Sequence, residues 1–357
     1  MKTYKKFLVD RFIKSFFNVF FVMISLVYIL NILKEIEFFS NKEVNQLYPI
    51  YLSMMSSPSI IFEMFPFIFL IATQFFFLKL FNDDEINIFK YSGLKNINII
   101  IILSSVSFFI GILIITVFYS LSSNLQHYYL KVKNQFSEDK IYLAVINKNG
   151  LWIKDVIDDQ TSIINSSNID GNFLNNTFIT TFDKNFNLIK SIKSDKIDII
   201  NNEWLIYNAT IYEKNVSRKS DLIKFKSNFN QKKIESLFSN LSSLSLLKLI
   251  DLRQNYKSLN YSTVDVDMQI YKIGTYPLFL VIMTILSSII MLNTKKTNSK
   301  VLKIVMGLFF SVVIYYINNF FNVMGTTEKL PLLVSIWTPI IFLVLINSIM
   351  LVNINDK

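Results

Sequence analysis

The sequence predicts an α-helical membrane domain of six transmembrane helices, with an all-β domain of sandwich or jellyroll type inserted in mid-chain. The six apolar runs cover roughly residues 12–33, 58–81, 97–121, 268–292, 301–323 and 333–353. Each has about the 20 residues that an α-helix needs to cross about 30 Å of hydrocarbon. The segment between the third and fourth runs, about 122–265, is rich in Asn, Asp, Lys and Ser and too polar for a bilayer. We therefore divide the chain into residues 1–121, 122–265 and 266–357.

Composition supports a membrane protein and excludes several other classes. The chain is 52% hydrophobic with a mean hydropathy of +0.41, values that soluble domains rarely reach. Its net charge of +10 rests on lysine rather than on an arginine cluster, so we do not expect nucleic-acid binding. There is no Cys, and His127 is the only His, so we expect neither a disulfide nor a metal site. No phosphate-binding glycine loop occurs, so we expect no cofactor and no enzyme activity of the chain's own.

Charge sets the expected orientation. Basic residues crowd two segments that a six-span layout places on one side: Lys2, Lys5, Lys6, Arg11 and Lys14, then Lys295, Lys296, Lys300 and Lys303. Such residues concentrate in short cytoplasmic segments. We therefore expect a multi-pass protein of the bacterial inner membrane with both termini cytoplasmic. The 34–57 loop and the insert then face the periplasm, and the short 82–96 loop faces the cytoplasm.

The insert carries the alternation of apolar and polar residues that is typical of β-strands. Strand candidates are Ile141–Ile146, Leu151–Lys154, Phe178–Phe182, Lys196–Ile200 and Trp204–Tyr212. Turn residues separate them, among them Asp170-Gly171 and Asn201-Asn202. Residues 235–259 change to a helical spacing of leucines and lead back towards the membrane.

The cytoplasmic loop contains a short amphipathic helix, predicted over about residues 83–93. Ile86, Phe89 and Tyr91 are expected on one face, Glu85 lies at the acidic start, and Gly93 can end the helix. Such a helix is suited to docking a soluble partner. It is equally suited to lying on the lipid surface. The residues alone leave both interpretations open.

A wider pattern around this helix resembles a known family. Pro58 is followed after eight residues by Pro66, after nineteen more by Glu85, and then by Ser92-Gly93. This order and spacing is similar to the permease subunits of the lipopolysaccharide export machine, the LptF/LptG family. The resemblance implies six membrane helices, a periplasmic β-jellyroll between helices three and four, and a cytoplasmic coupling helix between helices two and three.

Further motifs resemble LptG more than LptF. Asp10-Arg11-Phe12-Ile13 is similar to the start of the first LptG helix, and Gly150-Leu151-Trp152 with Lys154-Asp155 is similar to an LptG strand. Gly307, Tyr315, Pro331 and Pro339 fall at LptG-like spacings. Asn318 and Asn319 depart from the Asp-Gln pair that LptG often has.

The resemblance implies a role in an ABC-type exporter that extracts lipopolysaccharide from the inner membrane and passes it to a periplasmic β-jellyroll bridge. The implied partners are an LptB-like ATPase dimer, an LptF-like second permease and an LptC-like periplasmic protein. Glu85, Ile86, Phe89 and Gly93 would form the ATPase-coupling site. Lipid contacts would come from the first helix and its outer end, Phe16, Phe20, Val27, Leu30, Lys34 and Lys42, and from the insert, Phe182, Ile199 and Leu205. The alternatives are the LptF subunit itself and a membrane-anchored periplasmic sensor that binds a ligand.

Overall fold

The computed structural model describes residues 3–40, 45, 47–136, 151–213, 216–231, 233–234, 240–258, 261–293 and 300–355. The chain forms two compact units. One comprises Met1–Tyr129 with Val264–Lys357, and the other comprises Leu130–Thr263. The strand candidate Ile141–Ile146 and Lys42 lie outside the described residues.

The described helices are α1 (Thr3–Phe39), α2 (Leu47–Asn82), α3 (Glu85–Tyr91), α4 (Asn96–Leu113), α5 (Tyr119–Gln135), α6 (Leu246–Ser258), α7 (Val264–Leu292), α8 (Lys300–Thr326) and α9 (Leu332–Asn355). A π-helical segment, Ile114–Phe118, joins α4 to α5 without a break in the helical path. Six helical spans in the described part of the chain are long and apolar enough to cross a membrane, so the predicted six-helix domain is confirmed.

The expected 34–57 loop is wrong. α1 continues to Phe39 and α2 already begins at Leu47. Polar contacts explain why these less apolar ends stay helical, since the Asn31 amide donates to Ser56 Oγ at 3.2 Å and to Ser57 Oγ at 3.1 Å. Such pairing satisfies polar groups between neighbouring helices in a bilayer.

Helices α2 and α7 form the centre of the membrane unit. One buried cluster joins residues of α1, α2, α4 and α7, and a second joins α2, α7, α8 and α9. Hydroxyl groups add hydrogen bonds inside this apolar packing: Ser287 Oγ donates to the Leu70 carbonyl at 2.8 Å, and the Ser107 and Thr284 hydroxyls are 2.9 Å apart. The outer helices α1, α8 and α9 keep broad apolar faces exposed.

The insert is an antiparallel sheet of six strands, which confirms the predicted inserted β domain. The strands are β1 (Leu151–Ile157), β2 (Gln160–Asp170), β3 (Phe173–Phe182), β4 (Leu188–Asp198), β5 (Glu203–Glu213) and β6 (Val216–Lys226). Their order in the sheet is their order in the chain, so the described strands form a meander. β2 and β6 were not predicted, because β2 is rich in Ser and Asn and β6 in charged residues, and neither is markedly apolar.

The ladders of this sheet are irregular at several points. Asn176 on β3 and Asn208 on β5 both adopt φ 48°, and both are skipped in the pairing of their strands. The register of the strands is the same on both sides of these residues. It shifts between Thr181 and Phe182 on β3, as at a β-bulge, which bends a strand and increases its twist. Beside Asn208 the buried Ser194 Oγ donates to the Tyr207 carbonyl at 2.6 Å.

The chain that follows β6 returns to β1. The buried Asp155 carboxylate on β1 accepts hydrogen bonds from Ser227 Oγ at 2.7 Å, from the Asn228 backbone N–H at 3.1 Å and from the Asn228 side-chain amide at 2.9 Å. In a flat sheet the first and sixth strands would lie about 24 Å apart. The sheet is therefore rolled, and we call this closing contact the Asp155 latch.

Candidate functional site

The short helix α3 lies between the second and third spans, where the sequence predicts it. A two-residue turn, Asp83-Asp84, connects it to α2, and Asp84 takes a left-handed conformation with φ 58°. The Asn87 amide donates to Asp84 Oδ1 at 2.7 Å and fixes this turn. At the other end Gly93, with φ 75°, donates its N–H to the Lys90 carbonyl, so Gly93 ends the helix as expected.

The two faces of α3 differ from the expected arrangement. Ile86 is 5% exposed and belongs to the core cluster of the membrane unit, and Phe89 packs against the same cluster with its ring 6.0 Å from that of Phe7. Neither is presented to a partner. Ile88 and Tyr91 are the exposed apolar residues, Tyr91 at 91%. The helix is thus fastened to its own chain by one face and presents a second apolar face outwards.

Glu85 is also occupied within the chain. Its Oε1 lies 2.8 Å from Arg11 Nη2, and the other nitrogen of the same guanidinium lies 3.3 Å from Asp83 Oδ2. Glu85 Oε2 is buried and has no hydrogen-bond partner. Burial raises the pKa of the Glu85 carboxyl above its ordinary value; the charge of Arg11 opposes this rise and that of Asp83 adds to it. The Glu85 carboxylate is therefore already paired within the chain, by Arg11.

The residues expected to line a lipid path divide between two sides of α1. Phe16, Phe20 and Val27 point inwards, and Phe16 and Phe20 stack on Phe65 of α2 with ring centroids 6.3 and 5.9 Å apart. Phe118 of the π-helical segment meets the Phe65 ring edge-on at 5.1 Å. A π-helical turn is an uncommon feature that often accompanies functional sites. Here it supplies one ring of a cluster shared by three spans.

Leu30 and Lys34 lie on the opposite, exposed side of α1 near its C-terminal end. The neighbouring Glu35 points the other way: it is buried and accepts a hydrogen bond from the Tyr129 hydroxyl at 2.7 Å. Lys34 and Glu37, three residues apart, are both exposed, so this end of α1 presents charges of both signs.

The three insert residues expected to meet lipid differ in access. Phe182 and Leu205 are half-buried, whereas Ile199 is fully buried in the core of the insert. The assignment of Ile199 to a lipid path therefore does not fit its position. Ile199 directly follows β4, and its N–H and carbonyl are both hydrogen-bonded, to the Asn172 carbonyl and the Gln231 N–H.

Sequence reasoning missed a pair of charges inside the apolar runs. Glu63 on α2 and Lys272 on α7 interact electrostatically, and Asp265 also acts on Lys272. One turn beyond Lys272, the Tyr276 hydroxyl donates to the Phe62 carbonyl and joins the same two helices. Charged residues in membrane spans are costly and usually paired or functional, which is the signal that could have found them. Among the described residues no group of three His, Cys, Asp or Glu is arranged to hold a metal ion.

With this arrangement in place, comparison with known families gives one match. The model of the lipopolysaccharide export system permease LptF/LptG matches residues 6–353. The chain belongs to the LptF/LptG family. That match spans all six membrane helices and the insert, so this member is a transport component of lipopolysaccharide export and a multi-pass protein of the inner membrane. The family model describes LptF and LptG together. No individually curated protein matches the chain.

Proposed function

We propose that this LptF/LptG-family chain is the LptG-like permease of an ABC-type exporter and is driven by an LptB-like ATPase dimer. The observation that carries the proposal is the exposed apolar face of α3, formed by Ile88 and Tyr91. A helix held by its own chain on one side and apolar on the other is suited to seat in a groove of a soluble partner. Asp84, exposed beside it, adds negative charge for a basic rim on that groove.

In this proposal the coupling role becomes indirect for four residues: Glu85, Ile86, Phe89 and Gly93. These residues hold α3 in place and end it, and the contact with the ATPase falls to Ile88 and Tyr91. The alternative in which α3 lies on the lipid surface would leave Tyr91 in the headgroup region. That alternative predicts that no ATPase is retained through this helix.

The outer helices favour a second, LptF-like permease as neighbour. Asn319 is exposed on α8, on the same side as Tyr315 and Tyr316. A polar amide facing hydrocarbon is costly, so polar groups in spans usually face protein or a cavity. Together with the exposed side of α1, which carries Leu30 and Lys34, this face is suited to a cavity shared by two permeases and open to an acylated, anionic lipid.

The insert offers one edge for an LptC-like partner. Among the described strands β6 pairs only with β5, so its outer edge is available for strand addition. The edge of β1 is partly occupied, because the Tyr261 hydroxyl accepts the Lys154 N–H at 3.2 Å and the Asn228 amide donates to the Val156 carbonyl at 2.9 Å. We therefore place the partner strand at β6 rather than β1.

Purification of the tagged chain in mild detergent tests the proposal. We expect an LptB-like ATPase, a second six-helix permease and lipopolysaccharide to co-purify with it. A membrane-anchored sensor would instead bring down neither an ATPase nor a second permease. Recovery of the chain without an ATPase, from membranes that contain one, would refute the proposal.

A further inference from the structure

Arg11 connects the coupling helix to the first membrane helix. We propose that Arg11 is a positioning residue that transmits the displacement of α3 to α1, so that ATPase motion reaches the lipid path through α1 rather than through α2. This inference rests on the proposed function, because it needs an ATPase on α3. It concerns the step after docking, and its loss leaves docking intact.

The geometry at Arg11 is that of a connector between segments. One guanidinium joins α1 to Asp83 in the turn and to Glu85 at the start of α3, with N···O distances of 3.3 and 2.8 Å. The planar fork of arginine can hold two carboxylates at once, which a lysine ammonium cannot do with the same geometry. The Glu85 side chain is only 17% exposed, so solvent screens this pair less than it screens a surface pair.

Apolar contacts reinforce the same connection. Phe7 lies one turn before Arg11 on α1; the Arg11 guanidinium lies 5.2 Å from the centre of the Phe7 ring, and Phe89 of α3 lies 6.0 Å from it. Ile86 is buried in the cluster that includes Leu8 of α1. A charged contact and an aromatic contact therefore fasten α3 to little more than one turn of α1, and a movement of α3 would act on that turn.

α1 is better suited than α2 to carry such a movement. It is one continuous helix of 37 residues that contains neither Gly nor Pro. α2 contains Pro58 and Pro66, and a proline inside a helix removes a backbone hydrogen bond and allows a kink. Arg11 is one to two turns from Phe16 and less than three turns from Phe20, the two rings stacked on α2. Displacement of α1 at Arg11 would therefore act directly on that stack.

The test compares Arg11→Gln with Lys14→Gln in the full exporter. Lys14 lies on the same helix one turn on, and among the described residues its ion pair is with exposed Asp10, at 2.8 Å, so its neutralisation is a matched control for lost positive charge. We measure three quantities: ATPase retained on purification, ATP hydrolysis, and lipopolysaccharide released from proteoliposomes per ATP hydrolysed. A fourth measurement, thermal unfolding, detects a merely structural effect.

For Arg11→Gln we expect retention and hydrolysis close to wild type, but a 5- to 150-fold fall in lipid released per ATP, the usual range of coupling between sites. Arg11→Lys should recover part of the loss, since lysine reaches one carboxylate. Lys14→Gln should match the wild type. The charge-swapped pair Arg11→Glu with Glu85→Arg should export better than either single variant.

Other outcomes separate the two proposals. Unchanged lipid release per ATP in Arg11→Gln would overturn the positioning role and leave the proposed function standing. Loss of ATPase retention would also overturn it, because Arg11 would then be part of the docking contact. A lower unfolding temperature with an equal fall in hydrolysis and export would reduce Arg11 to a fold-stabilising residue. A wild-type chain that retains no ATPase would fail the proposed function itself.

Discussion

Replacing Tyr91 by Ala should weaken binding of the LptB-like ATPase without destabilising the permease. The Tyr91 side chain is 91% exposed, so nearly all of its surface is available to a partner. Aromatic side chains bury about 150–250 Å², which at about 25 cal/mol per Å² corresponds to roughly 4–6 kcal/mol if the whole ring is covered. A docked partner covers about one side of the ring, so about 2–3 kcal/mol, or roughly 30- to 150-fold in Kd, should be lost.

The assay is a titration of labelled ATPase into purified permease in detergent, followed by fluorescence anisotropy, with thermal unfolding of each permease variant measured in parallel. Ile86→Ala is the matched comparison. It truncates a buried residue of the same helix and should cost about 2–5 kcal/mol of stability through the cavity it leaves. Tyr91→Ala should leave the unfolding temperature unchanged. A Kd within threefold of wild type for both Tyr91→Ala and Ile88→Ala would refute the assignment of this face to the ATPase.

Three further predictions concern topology, packing and the lipid path. Since the chain has no Cys, single cysteines can report the topology. A Cys at Asn185 should react with a membrane-impermeant thiol reagent in intact spheroplasts, and one at Lys90 should react only after lysis. The reverse labelling pattern would show that the expected orientation is wrong. Gly307→Val should destabilise the membrane unit by about 2–4 kcal/mol, because a Cβ there would lie 2.0 Å from the side-chain amide nitrogen of buried Gln74. Gly274→Ala, whose Cβ meets open space, should leave thermal unfolding unchanged, and equal effects of the two would contradict this reasoning. A photo-crosslinker at half-buried Leu205 should capture lipopolysaccharide in an ATP-dependent way, and one at fully buried Trp204 should not. Capture at neither position, with capture in the membrane unit, would leave the insert as a docking domain only.

The six spans could be predicted because hydrocarbon imposes a length and a composition that a single sequence displays. The ends of the spans could not. Ser56 and Ser57 look like loop residues in isolation, and inside α2 their hydroxyls accept hydrogen bonds from the Asn31 amide of α1. A contact between residues 25 positions apart has no local pattern in the sequence.

The candidate site shows the same division. The place of α3, its acidic start and its ending at Gly93 follow from local signals. The face of α3 that turns outwards could not be predicted from local signals. Ile86, Phe89 and Ile88 are similar in hydrophobicity, and only the packing against α1 decides which of them is buried. The partner of Glu85 was equally hidden, since Arg11 lies 74 residues earlier in the chain.

The meander order of the insert bears on how the chain is synthesised. Three spans follow the insert, so its strands leave the ribosome before α7, α8 and α9 exist. Each strand pairs with a neighbour in sequence, and sheets built from such local contacts form quickly and need no distant part of the chain. No disulfide has to form, as there is no Cys. The Asp155 latch joins residues 72 and 73 positions apart, so rolling of the sheet waits for the end of β6. The insert can therefore complete its fold while the second half of the membrane unit is still being translated, and the late spans assemble after the insert is finished.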